Sequence, residues 1–435
     1  MAPTNPKKRS RTVAHILLRD LDIPDIREMG VYLANGGYEG LRKTLSQHKP
    51  DEVIEIVKAS GLRGRGGAGF PTGVKWSFVP KDVFPKYVVV NADESEPGTF
   101  KDRQLLENNP HQVIEGAIIA AYAIQAEAIY VYCRGEFWDL AHRLRARIGE
   151  ARKAGFLGKN ILKSGWGCEA FVHLGAGAYI CGEETALLSS LEGDRGQPRL
   201  RPPFPASKGL YAKPTVVNNV ETLANVPYII MNGAEGYRRF GTEKSPGPKI
   251  FSLSGRVAKP GNYELPLGST LRDLIDEHGG GIIGGKQPKA ILPAGASSPM
   301  MPATDEVLDS PMTYEDFERF GSSLGSASII VLDETTDIVW AASKMMHFFA
   351  HESCGKCTPC REGCYWTKRL YERFMEGRAT PDDIDRLYAA ASQMVGNCFC
   401  ALGEFAVNPV LASIKHFRED YEAYVRGAAA KAAAD

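Results

Sequence analysis

Val53, Ile56 and Val57 fall on one side of a helix over residues 51–60, and Gly61 ends it. Tyr87, Val88, Val89 and Val90 then form a β-branched run that predicts a buried strand. Residues 103–126 read as helix, 128–133 as a second strand and 136–153 as a second helix. Strands alternating with helices predict a parallel sheet in an α/β layer running to about residue 240. Gly and Pro become frequent over 241–333, with short β patterns at 249–254 and 328–332 and one helix near 270–277, which predicts a small α+β module. From Asp333 on the pattern is helical, with few breakers outside a cysteine loop and residues 379–381, and predicts a bundle. The expected division is 1–72, 73–240, 241–333 and 334–435.

Lysine plus arginine equals aspartate plus glutamate, 52 of each, so the net charge is zero. That argues against a nucleic-acid surface, which needs a basic excess. The apolar stretch 113–133 is interrupted by Glu115, Gln125 and Glu127, which argues against a membrane span. Residues 1–12 are basic but lack the apolar run of a signal peptide, and read as a disordered tail. The Ala-rich end, 428–435, is expected to fray. Nine cysteines, six of them in the last quarter, form no secreted framework and suit a reducing cytosol.

Gly64, Gly66 and Gly69 stand in a G-x-G-x-x-G pattern between Arg63 and Phe70. A helix, not a strand, precedes it, so the ordinary dinucleotide fingerprint is not met. Glycines still let backbone N–H groups approach a phosphate, and Arg63, Arg65 and Lys75 offer positive charge. Asp93, Glu94 and Glu96 follow the first strand, where ligands dock in open α/β sheets. They suit ribose or ribityl hydroxyls, or a solvated acidic turn. Glu183 and Glu184 enter a helix after a glycine turn, where carboxylates also suit the helix dipole. Asn218 and Asn219 precede another helix and can cap it or hold a phosphate.

Cys354, Cys357 and Cys360 form a C-x2-C-x2-C run, a spacing that lets three thiolates face one iron–sulfur cube. Zinc sites more often show two separated pairs. Spacing leaves the fourth ligand open among Cys364, Cys398 and Cys400.

Taken in order, these segments resemble the NADH-binding flavoprotein subunit of respiratory complex I and its wider family, which includes diaphorase subunits of NAD-reducing hydrogenases and NAD-linked formate dehydrogenases. The resemblance implies a Rossmann-like α/β FMN-binding domain, a ubiquitin-like β-grasp domain and a helical bundle with one 4Fe–4S cluster. It implies an FMN site at Gly64, Arg65, Gly66, Gly67, Lys75, Asn91, Asp93, Glu94, Glu183, Val217, Asn218, Asn219 and Thr222, with Glu94 tuning the flavin. It implies an NADH site at Phe70, Lys75, Phe78, Glu96, Tyr179, Glu184 and Phe204, the three phenylalanines sandwiching adenine. The cluster ligands it implies are Cys354, Cys357, Cys360 and Cys400. Hydride chemistry then belongs to FMN, with no catalytic side chain. Partners implied are a thioredoxin-like 2Fe–2S subunit and a large iron–sulfur subunit, in a peripheral arm on the cytoplasmic face of the inner membrane. Soluble diaphorases of the family often carry further iron–sulfur domains. No cysteine precedes Cys133 and the chain ends soon after the bundle, so a stand-alone subunit is expected.

Overall fold

The computed structural model describes residues 15–432; the basic start and residues 433–435 lie outside it. Four parallel strands, β1 (Tyr87–Ala92), β2 (Ala128–Cys133), β3 (Glu169–Leu174) and β4 (Thr215–Asn219), form one sheet in the order β3-β2-β1-β4. Alternation along β1 splits the core. Val88 and Val90 face a cluster with Ile118 and the N-terminal residues Leu41, Val53 and Val57. Val89 faces the other side, in a cluster that continues through Leu187 and Leu188 into the C-terminal helices. The segment before residue 73 therefore shares a core with the sheet.

The stretch expected as one helix is two, Lys101–Asn108 and Pro110–Ile124. Pro110 has no N–H to donate and opens the second helix instead of continuing the first. That second helix is buried almost throughout, and among the described residues no helix is long and apolar enough to cross a membrane.

A mixed five-stranded sheet follows: β5 (Pro248–Gly255), β6 (Gly261–Pro266), β7 (Pro288–Ala296), β8 (Met301–Pro302) and β9 (Ser328–Asp333), in the order β6-β5-β9-β7-β8. Its central pair β5–β9 is parallel and its other pairs are antiparallel. The helix expected near 270–277 includes a wide π-type turn over Asp273–His278, and a further short helix, Tyr314–Arg319, has no counterpart in the sequence reading. Five helices complete the described residues, with the cysteine loop joining Ile338–Glu352 to Thr358–Met375. The last, Arg418–Ala432, runs well into the stretch expected to fray.

Helix Pro110–Ile124 crosses Val220–Ala224 so closely that a Cβ on Gly116 would lie 2.0 Å from the Leu223 carbonyl oxygen. This contact fixes the helix that starts directly after Asn219. Gly116→Ala is expected to destabilise the chain by about 2 kcal/mol in chemical denaturation, as overpacking does; an unchanged midpoint would contradict this packing.

Candidate functional site

β1 and β4 are neighbours and end side by side, with β1 continuing into the acidic loop and β4 ending on Asn218 and Asn219. Crevices of this kind, at the carboxyl ends of adjacent parallel strands, are where open α/β sheets bind ligands. The glycine loop closes one wall. It is pinched by hydrogen bonds from Gly64 N to Phe70 O (2.9 Å) and from Thr72 N to Leu62 O (2.8 Å). A Cβ on Gly66 would lie 2.9 Å from Asn219 Cβ, so only glycine lets the loop come this near. The N–H groups of Gly66, Gly67 and Ala68 have no acceptor among the described residues.

The polar side chains around the crevice are held in place. Trp76 Nε1 donates to Asn218 Oδ1 (2.8 Å), and Asn91 Nδ2 donates to the Gly182 carbonyl (2.9 Å). Asn219 Nδ2 donates to Asp102 Oδ2 (2.6 Å), and Thr222 Oγ1 accepts from Arg65 N (2.8 Å). Burial pushes the Asp93 carboxyl up to about 7, against a hydrogen bond from Ser95. Glu183 caps helix Glu184–Leu191 through Oε2, which accepts from Thr185 N and Ala186 N (both 2.9 Å). Its Oε1 is buried without a hydrogen-bond partner, with the Arg201 guanidinium 3.7 Å away. Lys75 Nζ donates to Val217 O (2.9 Å) and pairs with Glu184 Oε2 (2.7 Å).

Three expected roles change. The guanidinium of Arg65 is fully buried behind the loop, donating to Tyr237 Oη (3.0 Å) and Pro246 O (2.9 Å), so it gives the crevice no charge. Arg63 is also taken, paired with Glu315 and lying 4.1 Å over the Tyr314 ring. Lys75 alone of the three cations reaches the crevice. Glu94 spends both carboxylate oxygens on the N–H groups of Asp102 (2.7 Å) and Arg103 (2.9 Å), capping helix Lys101–Asn108. Burial and the nearby Asp102 charge push it up to about 7.

Phe70, Phe78 and Phe204 are 47, 59 and 57% exposed, and the Phe70 and Phe78 rings lie 6.2 Å apart. Arg201, which the sequence reading missed, stands 3.4 Å from Glu184 Oε1. Glu96 is engaged rather than open: it accepts from Tyr179 Oη (2.8 Å) and from Ser297 N (2.8 Å) of the middle domain.

Cys354, Cys357, Cys360 and Cys400 line one cavity, together with Ile180, Pro198 and Leu402. Among the described residues, no group of three His, Cys, Asp or Glu side chains converges closely enough to hold a single metal ion. Cys364 and Cys398 are absent from that lining. Cys364 is fully buried with its Sγ 4.0 Å from Cys360 Sγ, and Cys398 packs beneath Gly403. Ile180 borders the cysteine cavity while Gly182 and Glu183 border the crevice, so one short segment is the wall between them.

Three protein families match in chain order: the Nuo51 FMN-binding domain over residues 57–228, the SLBB domain over 250–303, and the NADH-ubiquinone oxidoreductase-F iron–sulfur binding region over 340–424. Crevice, cavity and matches together define an oxidoreductase subunit that uses FMN, a 4Fe–4S cluster and NADH. An NADH-quinone oxidoreductase F subunit of Rhizobium meliloti (strain 1021) is 52% identical over 94% of this chain and 97% of its own. The corresponding F subunit of Aquifex aeolicus (strain VF5) is 48% identical over 97% of each. The chain belongs to the F-subunit family of the NADH-quinone oxidoreductases. Its fold also matches a chain of an NAD+-reducing NiFe-hydrogenase in the H2-reduced state, with TM-score 0.80 and 42% identity over 87% of this chain; it spans 63% of that hydrogenase chain.

Serine in place of Cys400 is expected to strip iron from the purified chain, whereas Cys364→Ser is expected to keep it. Equal iron content in the two variants would refute this ligand set.

Proposed function

We propose that the crevice between β1 and β4 holds FMN, that NADH enters over it from the phenylalanine mouth, and that Cys354, Cys357, Cys360 and Cys400 hold the cluster. The observation that carries this reading is the wall shared by crevice and cavity, residues 179–184, which sets the two sites back to back. FMN bound there would supply the chemistry that links a two-electron hydride donor to a one-electron cluster.

The chain's own residues bind, orient and screen. Free N–H groups of the glycine loop and Asn219 suit the flavin phosphate. Asn91, Asp93, Glu183, Asn218 and Thr222 line the polar wall, and the Val217 carbonyl anchors Lys75 there. Glu183 Oε1 is one more acceptor for a bound N–H or hydroxyl. Phe70, Phe78 and Phe204 stack the adenine, and the Glu96–Tyr179 pair borders the dinucleotide. Division into 1–72, 73–240, 241–333 and 334–435 accompanies this reading, with the first two parts as one folding unit. The strand order of the middle sheet supports a ubiquitin-like β-grasp.

A thioredoxin-like 2Fe–2S subunit and a large iron–sulfur subunit receive the electrons in a peripheral arm on the cytoplasmic face of the membrane, and quinone lies downstream. The hydrogenase likeness supports a second reading, a diaphorase module. The higher identity to the quinone-oxidoreductase relatives favours the first.

Glu184 selects NADH. Its carboxylate neutralises Lys75 and Arg201, two cations that a 2′-phosphate would otherwise find. Glu184→Gln is expected to raise the NADPH-to-NADH ratio of kcat/KM by about tenfold or more, the worth of one charge-assisted contact. Unchanged rejection of NADPH would sink this role. The parent chain's flavin should bleach anaerobically with NADH and stay oxidised with NADPH; bleaching by both would remove the selectivity.

A further inference from the structure

The domain at 241–333 has no chemistry in the reading above, yet it touches the glycine loop from behind at several consecutive residues. Tyr314 Oη donates to the Gly64 carbonyl (2.9 Å), and Lys249 Nζ donates to the Arg65 carbonyl (3.1 Å). Arg63 pairs with Glu315, which also accepts from Ser245 Oγ (2.8 Å). A Cβ on Gly69 would lie 2.7 Å from the Tyr314 ring, so the ring rests directly on the loop. Lys249 is fully buried and Tyr314 nearly so.

These contacts decide which way the loop's peptides point. In a trans peptide the carbonyl and the following N–H aim in opposite directions. Tyr314 fixes the Gly64 carbonyl, and the N–H of the same peptide, on Arg65, donates to Thr222 Oγ1. Lys249 fixes the Arg65 carbonyl and so turns the Gly66 N–H away from itself; that N–H has no acceptor among the described residues. A glycine loop left to itself samples many conformers, and each one that must be frozen on binding weakens the ligand.

We propose that the middle domain is a clamp that presets the glycine loop for the flavin phosphate, with Tyr314 and Lys249 as its positioning residues. The clamp rests on the reading of that loop as the phosphate site. Neither residue touches the ligand; both act by holding carbonyls so that neighbouring N–H groups stay free. Lys249 lies 3.7 Å from the buried Glu221 carboxylate, which also pairs with Lys101 at 2.7 Å.

The test uses the full-length chain depleted of flavin, titrated with FMN and with riboflavin by flavin fluorescence, with iron content as the check on the remaining fold. Tyr314→Phe, which removes one oxygen and keeps the ring, is expected to raise the FMN Kd about tenfold, the worth of one buried hydrogen bond with its ordering cost. Lys249→Met is expected to act in the same direction. Riboflavin, which lacks the phosphate, is expected to bind parent and variants alike, with iron unchanged. FMN affinity unchanged in both variants would overturn the clamp while leaving the phosphate site standing. Equal weakening of FMN and riboflavin would also overturn it, since a merely loosened fold does not read the phosphate. A parent chain that binds riboflavin as tightly as FMN would overturn the phosphate reading, and the clamp with it.

Discussion

The segment 179–184 has to serve two sites with one stretch of backbone. Its Tyr179 N–H is bound by Glu352 of the helical bundle (3.0 Å), and its Gly182 carbonyl is bound by Asn91 at the end of β1 (2.9 Å). Ile180 lines the cysteine cavity, and Glu183 caps the helix that follows through Thr185 N and Ala186 N. Gln197 Nε2 reaches from the same domain to the Cys354 carbonyl (3.0 Å), so the cluster loop is tied to the flavin domain as well as to its own bundle. Both sites inherit their separation from this wall, because a folded segment a few residues thick cannot stretch. A rigid separator suits single-electron hand-over, where the protein's contribution is position more than chemistry.

The domains are likewise joined at the chemistry and not beside it. Glu96 binds Tyr179 and the middle domain's Ser297, whose carbonyl accepts from Asn408 of the bundle (3.0 Å). Behind the glycine loop a buried set of charges, Lys101, Asp102, Glu221 and Lys249, connects the first and middle domains. Buried ions are expensive to desolvate, and such a set is a weak source of stability. Here it has a positional use: Asp102 holds Asn219, Glu221 accepts from Ile250 N (2.9 Å), and Lys249 holds the loop.

Much of this was legible in the chain. β-branched runs marked β1 and β2, and the alternation of strand and helix marked a parallel sheet, because burial on both faces leaves a plain hydrophobic signal. The cysteine spacing identified a cluster loop, but not the fourth ligand. Cys398 packs against Gly403 in the first turn of helix Leu402–His416, a contact that spacing does not encode. Arg65 reads as a ligand cation in sequence and is a core residue in space, since its partners Tyr237 and Pro246 are brought in by distant elements. Glu94 misleads in the same way: a carboxylate after a strand looks like a ligand until a helix N-terminus arrives to claim it. Tyr314 and Arg201 carried no signal, being single residues in short or irregular stretches whose value comes only from tertiary contact.

The central claim is that crevice and cysteine cavity work in series, with flavin between NADH and the cluster. The most direct measurement is low-temperature EPR of the anaerobic chain with NADH added, made on the flavin-loaded chain and on the same chain depleted of flavin. The account predicts a reduced-cluster signal only when flavin is bound, with dithionite reducing the cluster in both. A cluster signal raised by NADH in the flavin-free chain would contradict it.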